Sequence, residues 1–355
     1  MSRGGIILTV LLMPLAAALG VLWALDEDVF IGLRLSGPPL VVAEGEQPAV
    51  LFLTVHRETS AWLPSLISSV PRRQVHVDLW ARSARDLAPL WVRRVASTPD
   101  EKGVPAAEIR GATSRDVRVE VAGTQSAFAL GNGARLPAVT GDVTIRPMRV
   151  DSDGTTPFRM RGAIVSGVWF GLVQPEEAAG LAKEMVEPDY RRAAEYRLWT
   201  ARVSERHNFV FNTVERRYMD LRQTPSGPAF QRGGLLSREA GDKRQPVVLD
   251  DPTRLVVLHD REDAGETWRY LTCLRIEGGV CWDVRLGMTR LLAVASVFDG
   301  QPDDQTLIVL GDRRRPDEPA DKATQMLVSV GTREGTVSTL VIGALDLHAL
   351  KSKLP

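Results

Sequence analysis

Tyr270–Gly287, YLTCLRIEGGVCWDVRLG, is the stretch on which the reading of the fold turns. It predicts a β-hairpin, with an apolar strand Tyr270–Ile276, a turn at Glu277-Gly278-Gly279 and a return strand Val280–Leu286. The paired glycines supply the positive φ that a tight turn needs. The pattern returns at Met326–Gly343, MLVSVGTREGTVSTLVIG, with the same length and with Gly335 in the place of Gly279. A looser copy, Val77–Val95, VDLWARSARDLAPLWVRRV, is one residue longer and puts Trp91 where Trp282 stands. Trp91, Gly279, Trp282 and Gly335 are therefore the positions expected to be equivalent in a repeated strand–turn–strand unit.

Outward from these hairpins the chain continues in short β-type runs. Val50–Val55, Val117–Val121, Ser126–Leu130, Asp142–Ile145, Ala163–Val173, Tyr196–Val203, Phe209–Val214, Val247–Leu249 and Leu255–His259 all read as strands. Leu291–Phe298, Thr306–Leu310, Gln325–Val330 and Val337–Ile342 predict one four-stranded antiparallel sheet. Gln223–Gly234 reads as a Pro/Gly-rich loop, and Gly311–Asp321, GDRRRPDEPAD, as an exposed one. One segment differs in period. Pro175–Glu195 opens with a proline and two acids and spaces Ala178, Leu181, Ala182 and Met185 as a helix does.

Four short strands per unit at ~40–50-residue spacing characterise a β-propeller. One such sheet cannot bury both its faces alone, and closing a ring of sheets leaves few exposed edges. Residues 41–350 leave room for about six or seven units of ~45 residues. The expected fold class is all-β, an irregular β-propeller of about six or seven blades with a helical insert at 175–195. A pair of β-sandwiches is the alternative. The run Gly279-Val280-Cys281-Trp282, a turn glycine leading through an apolar pair to tryptophan, resembles the degenerate blades of quinoprotein-like propellers. Gly335-Thr336-Val337-Ser338 departs from that pattern at its last position. The chain as a whole is similar to uncharacterised bacterial membrane-anchored proteins with propeller-like bodies, a resemblance that implies a topology and no chemistry.

Ile6–Leu25 carries no charge and matches the ~20 apolar residues a helix needs to cross a bilayer. Arg3 precedes it and Asp26-Glu27-Asp28 follow, so the positive-inside bias exports the body. Residues 1–28 are expected to anchor the chain in a bacterial inner membrane with the N-terminus cytoplasmic. A cleaved signal peptide, with Ala16-Ala17-Ala18 near the cleavage site, is the rival reading. Residues 29–40 read as a linker, with Val29–Leu35 one candidate strand, and residues 351–355 as a tail.

The 355 residues carry no net charge, with 44% hydrophobic and 25% charged residues, an ordinary folded composition that does not favour nucleic acid. The arginine clusters Arg72-Arg73, Arg93-Arg94, Arg216-Arg217 and Arg313-Arg314-Arg315 read as solvated surface, balanced by equally many acids. Cys273 and Cys281 share the central hairpin. A two-residue turn sets Cys281 opposite Ile276 and a three-residue loop sets it opposite Arg275. Neither register brings the thiols within easy reach of a bridge, so two small packing residues are expected, with a Cys273–Cys281 disulfide, which an oxidising compartment permits, as the alternative. Quinoprotein dehydrogenases hold their cofactor beside adjacent cysteines, which this chain lacks, so the resemblance extends to the scaffold and implies no cofactor.

Asp151-Ser152-Asp153-Gly154 opens like a calcium loop but lacks the later acidic ligands, and no metal is expected there. The five histidines, His56, His76, His207, His259 and His348, are dispersed. His76 and Asp78 share a strand face, and His259-Asp260 ends a strand, but neither pair has a Ser, Cys or third ligand at a recognisable spacing. No catalytic residues are assigned. The function expected is a membrane-anchored extracytoplasmic module that binds or scaffolds proteins of the cell envelope. An enzyme whose site residues converge from several units, and an envelope-assembly factor, are the alternatives.

Overall fold

In the computed structural model the described residues are 32–43, 48–59, 73–137, 141–150, 158–160, 162–165, 168–173, 197–202, 221–223, 230, 232–240, 243–247, 249, 253–275, 279–298, 305–314 and 322–345. The anchor Ile6–Leu25, the helical insert 175–195, the strand Phe209–Val214 and the tail 351–355 lie outside them. Among the described residues no helix is long and apolar enough to cross a membrane.

The described chain is all-β and antiparallel. The first sheet runs β1 (Arg34–Val42), β2 (Ala49–Thr59), β3 (Arg73–Ser83) and β4 (Pro89–Pro99) in chain order. The second runs β5 (Ala107–Ala112), β6 (Asp116–Val121), β7 (Thr124–Ala129) and β8 (Arg135–Leu136). After β9 (Arg159–Met160) the third runs β10 (Gly162–Val165), β11 (Val168–Val173), β12 (Arg197–Arg202) and β13 (Leu221–Gln223). The fourth is built on β14 (Arg232–Ala240), β16 (Arg254–Asp263), β17 (Glu266–Arg275) and β18 (Val280–Arg285). Its first strand also pairs with β9 and with β15 (Lys243–Pro246). The fifth, β19 (Arg290–Phe298), β20 (Gln305–Arg313), β21 (Thr324–Gly331) and β22 (Val337–Val341), is the four-stranded sheet expected from sequence.

Several expectations shift. The described residues form five sheets, not six or seven, because each sheet and its connections take more chain than the ~45 residues assumed. β1 occupies residues read as linker, Ala163–Val173 folds into the hairpin β10–β11, and the loop read over Gln223–Gly234 already contains the start of β14. Asp142–Ile145 contributes one bridge, Ile145 to Ala112, in place of a strand.

β2, β16, β20 and β21 carry continuous apolar runs because both their faces are covered. In β2, Leu51, Leu53 and Val55 point one way and join Val75, Val77 and Leu79 of β3 against Ile109, Val117, Val119 and Phe128 of the second sheet. Val50 and Phe52 point the other way, with Trp80, against Ile308, Leu310 and Leu327 of the fifth. The fifth sheet turns Leu307, Val309, Val328 and Val330 to its opposite side, where they meet Val256, Leu258, Leu271 and Val284 of the fourth. The period-2 alternation of side chains thus feeds two cores from each strand. The fourth, fifth, first and second sheets stack face to face in that order, so the last sheet of the chain lies on the first.

The same turn recurs at three of these junctions. Between β3 and β4, the Ser83 N–H bonds Ala88 O at 2.9 Å and the Leu87 N–H bonds Ser83 O at 3.0 Å. Between β7 and β8, the corresponding bonds are Ala129 to Ala134 and Gly133 to Ala129, both 2.8 Å. Between β21 and β22, they are Gly331 to Thr336 and Gly335 to Gly331, both 2.9 Å. The residue before the last is left-handed each time: Leu87 at φ 58, Gly133 at φ 68, Gly335 at φ 70. The second turn carbonyl then receives a donor from the adjacent sheet. The Trp91 indole of the first sheet bonds Leu130 O of the second at 2.7 Å. The Trp282 indole of the fourth bonds Thr332 O of the fifth at 2.7 Å. The Ser329 hydroxyl of the fifth is shared between Ala84 O at 2.6 Å and Arg85 O at 2.7 Å in the first.

Candidate functional site

Trp91, Trp282 and Gly335 hold sheets together. Trp282 is buried over Gly335, where an added Cβ would lie 2.7 Å from the Trp282 Cβ and Cγ. Gly279 is also left-handed, at φ 90, but faces open space. Cys273 is buried opposite Trp282, and Cys281 is the extra residue of a β-bulge between Trp282 and Val280. Neither register expected for Cys281 is the one found, and the two cysteines are not joined in a disulfide.

Chemistry-bearing side chains gather on the face of the first sheet that looks toward the fifth. Across β2 and β3, His56 sits directly opposite His76, and Thr54 opposite Asp78. His56 Nδ1 lies 3.4 Å from Asp78 Oδ2, both side chains being buried. β4 brings Arg94, whose Nε donates to Asp78 Oδ1 at 2.9 Å. A buried carboxylate would be costly alone, and here it is compensated by a guanidinium. His76 lies 3.2 Å by Nε2 from Glu58 and 2.8 Å by Nδ1 from the Ser97 hydroxyl. The carboxylate can only accept, so Nε2 carries the proton and Nδ1 accepts from Ser97. Burial and then the Arg94 charge push the imidazole down to about 4, with His56 adding to the effect and Glu58 and Asp78 opposing it.

That shift has a pH signature. The folded protein takes up the His76 proton less readily than the unfolded chain, so stability is full above about pH 6.5 and falls as the pH drops toward 4. With partial solvent screening the loss attributable to His76 is about 1–2 kcal/mol. Urea unfolding followed from pH 7 to pH 4 checks it. The midpoint should fall in the native chain and fall less in His76→Gln, and equal slopes would refute the assignment.

The fourth sheet carries a related network. His259 Nε2 donates to the Thr272 hydroxyl at 2.7 Å, and Thr272 donates to Asp283 Oδ1 at 2.5 Å. Arg261 approaches the same carboxylate at 2.7 Å. Burial pushes Asp283 up, but the imidazole of His259, 3.6 Å away, and the hydrogen bonds from Thr272 and Arg261 outweigh it and hold the carboxyl at about 2. Counted from the tryptophan position of each sheet, the His259–Thr272 diagonal coincides with the Trp80–Thr54 bond of the first sheet, 2.8 Å long. Such networks are part of the sheets' internal bonding. The sequence showed the His76–Asp78 pair but not Ser97, Arg94 or Glu58, which join it only through cross-strand register.

A groove of about 1020 Å³ lies beside His56, where the starts of β1 and β21, the end of β2 and the segment before β5 meet. Its floor ties three sheets: the Leu35 N–H donates to Gln325 Oε1 at 2.9 Å, and the Ser36 hydroxyl to Ala107 O at 2.8 Å. Arg34, Arg57 and Lys322 line it, and its described lining holds no carboxylate. Arg57 is paired with Asp100 at 3.0 Å. Arg34 and Lys322 have no ion-pair partner among the described residues. At the other end of β21 a smaller polar hollow of about 260 Å³ is lined by Arg85, Gln305, Arg333 and Glu334. Among the described residues no group of three His, Cys, Asp or Glu side chains is placed to hold a metal ion.

Compared with known proteins, the chain matches no family model and no curated protein.

Proposed function

We propose that the chain is a five-bladed β-propeller, anchored in a bacterial inner membrane by Ile6–Leu25, whose extracytoplasmic body binds or scaffolds envelope proteins. The observation that carries this reading is the seating of the fifth sheet on the first, through a shared apolar core and the Ser329 hydroxyl on Ala84 O. A row of sheets packed in chain order has two ends, whereas a propeller's last blade meets its first. A ring offers two rims of turns for partners, and here each rim has a concavity, the cationic groove beside β1 and the hollow at Arg333. Gly32, the first described residue, lines the groove, so that rim faces the anchor and the Arg333 rim faces away. The Arg333 rim is accordingly the partner-facing side.

A C-terminal alkaline phosphatase fusion should be active, and a photocrosslinker at the exposed position 333 should give a discrete protein adduct in living cells. An inactive fusion removes the export reading, and the absence of any adduct removes the partner rim. The enzymatic alternative is favoured by Ser97, an exposed serine bonded to a carboxylate-linked imidazole. Stoichiometric labelling of Ser97 by a fluorophosphonate would prefer it.

A further inference from the structure

We propose that the groove lined by Arg34, Arg57 and Lys322 binds the phosphate headgroups of anionic phospholipids in the membrane that holds the chain. The inference rests on the anchor reading for where the lipid comes from, and on the groove itself for the chemistry. In a chain without net charge, several described arginines meet acids: Arg94 with Asp78, Arg118 with Asp116, Arg261 with Asp283, Arg290 with Asp312. Arg34 and Lys322, which have no ion-pair partner among the described residues, instead line a concavity whose described lining has no acid. Unpaired cations converging on a cleft raise the local concentration of anions.

Chain length then selects which anion. From Leu25, the end of the apolar span, to Gly32 in the groove wall the chain reaches at most about 25 Å when fully extended. The groove is therefore held at the membrane surface, where anionic headgroups are the abundant phosphates. Basic residues near such a surface gain roughly fivefold in binding per side chain. The balanced polar and apolar character of the wall, with Leu33, Leu35 and Val104 beside the cations, suits a headgroup with the upper part of its acyl chains more than a bare ion. Asp26-Glu27-Asp28 lie between span and groove and are the competing occupant within the chain.

The test uses the full chain in an uncharged maltoside detergent, titrated calorimetrically with dihexanoyl phosphatidylglycerol, dihexanoyl phosphatidylcholine and inorganic phosphate. Saturable binding of the glycerol lipid is expected, at least roughly tenfold weaker in Arg34→Glu/Lys322→Glu. It should be unchanged in Arg115→Glu, at the exposed β5–β6 turn. The milder Arg34→Gln and Lys322→Gln variants serve if the double charge reversal does not fold. Equal affinity for inorganic phosphate would make this a free-phosphate site and overturn the proposal. So would the absence of saturable binding, unaltered binding by the double variant, or binding that appears only after Asp26, Glu27 and Asp28 are changed to amides. Because headgroup binding in detergent is independent of topology, an inactive phosphatase fusion alongside intact binding would remove only the export reading.

Discussion

Trp282→Ala is expected to lower the unfolding free energy by about 3–5 kcal/mol, with Trp91→Ala at the lower end of that range because its ring is only half-buried. Each substitution removes a large aromatic from between two sheets and leaves a turn carbonyl, Thr332 O or Leu130 O, without its indole donor. The position equivalent to Trp282 in the fifth sheet is Ser338, opposite Ser329. Ser338→Ala should cost little, since no large side chain is lost. Ser329→Ala should cost about 1–3 kcal/mol, because the Ser329 hydroxyl bonds the first sheet where the other junctions use an indole. Urea midpoints of the four variants check the set. Should both tryptophan variants unfold at the native midpoint while losing a binding partner, the rings are a recognition surface and not inter-sheet contacts.

The junction between the fifth and first sheets shows how one device is built from two residue sets. At the other two described junctions a tryptophan covers a left-handed glycine, Gly133 or Gly335, because any Cβ would strike the ring. At this junction no tryptophan arrives, and the left-handed position holds Leu87, whose buried side chain joins the core with Ile308, Leu327 and Ile342. Leucine is strained at φ 58, a cost on the order of 1–2 kcal/mol, which the apolar burial of its side chain offsets. Indole plus glycine and hydroxyl plus leucine thus fill similar space and satisfy the same turn carbonyl.

These substitutions explain what the sequence could and could not disclose. The equivalence of Trp91 and Trp282 was legible because both follow a turn at nearly the same distance. The way each distance is made was not. In the first sheet the turn matches that of the fifth and Leu90 is bulged out before Trp91, which accounts for the hairpin's extra residue. In the fourth sheet the Arg275 N–H bonds Gly279 O, closing the turn one residue earlier, and the bulge at Cys281 restores the count. A bulge and a shortened turn cancel in sequence length, so length alone cannot register either. The Ser329 and Leu87 pair carries no local pattern at all, being 245 residues from bond donor to acceptor at Ala84. The groove was illegible for the same reason: Arg34, Arg57 and Lys322 come together only when the fifth sheet meets the first.

Gly335→Ala should destabilise by about 2–4 kcal/mol, the sum of placing a Cβ at φ 70 and forcing it against the Trp282 ring 2.7 Å away. Gly279→Ala isolates the first of these costs. That glycine has φ 90, yet nothing lies within 4 Å of an added Cβ, so the change should cost only about 1–2 kcal/mol. The part of the steric cost that belongs to the Trp282 ring should disappear when the ring is gone, while the contact with the Cβ that alanine keeps, also 2.7 Å away, remains. In Trp282→Ala/Gly335→Ala the combined loss should fall short of the sum of the single losses by roughly 1–3 kcal/mol, a coupling characteristic of side chains in direct contact. Calorimetric or urea unfolding of the two single variants, the double variant and Gly279→Ala supplies all four values. Additive losses, or equal costs at Gly335 and Gly279, would mean that Trp282 does not rest on the turn of the fifth sheet, and the junction between these sheets would have to be held by the apolar faces alone.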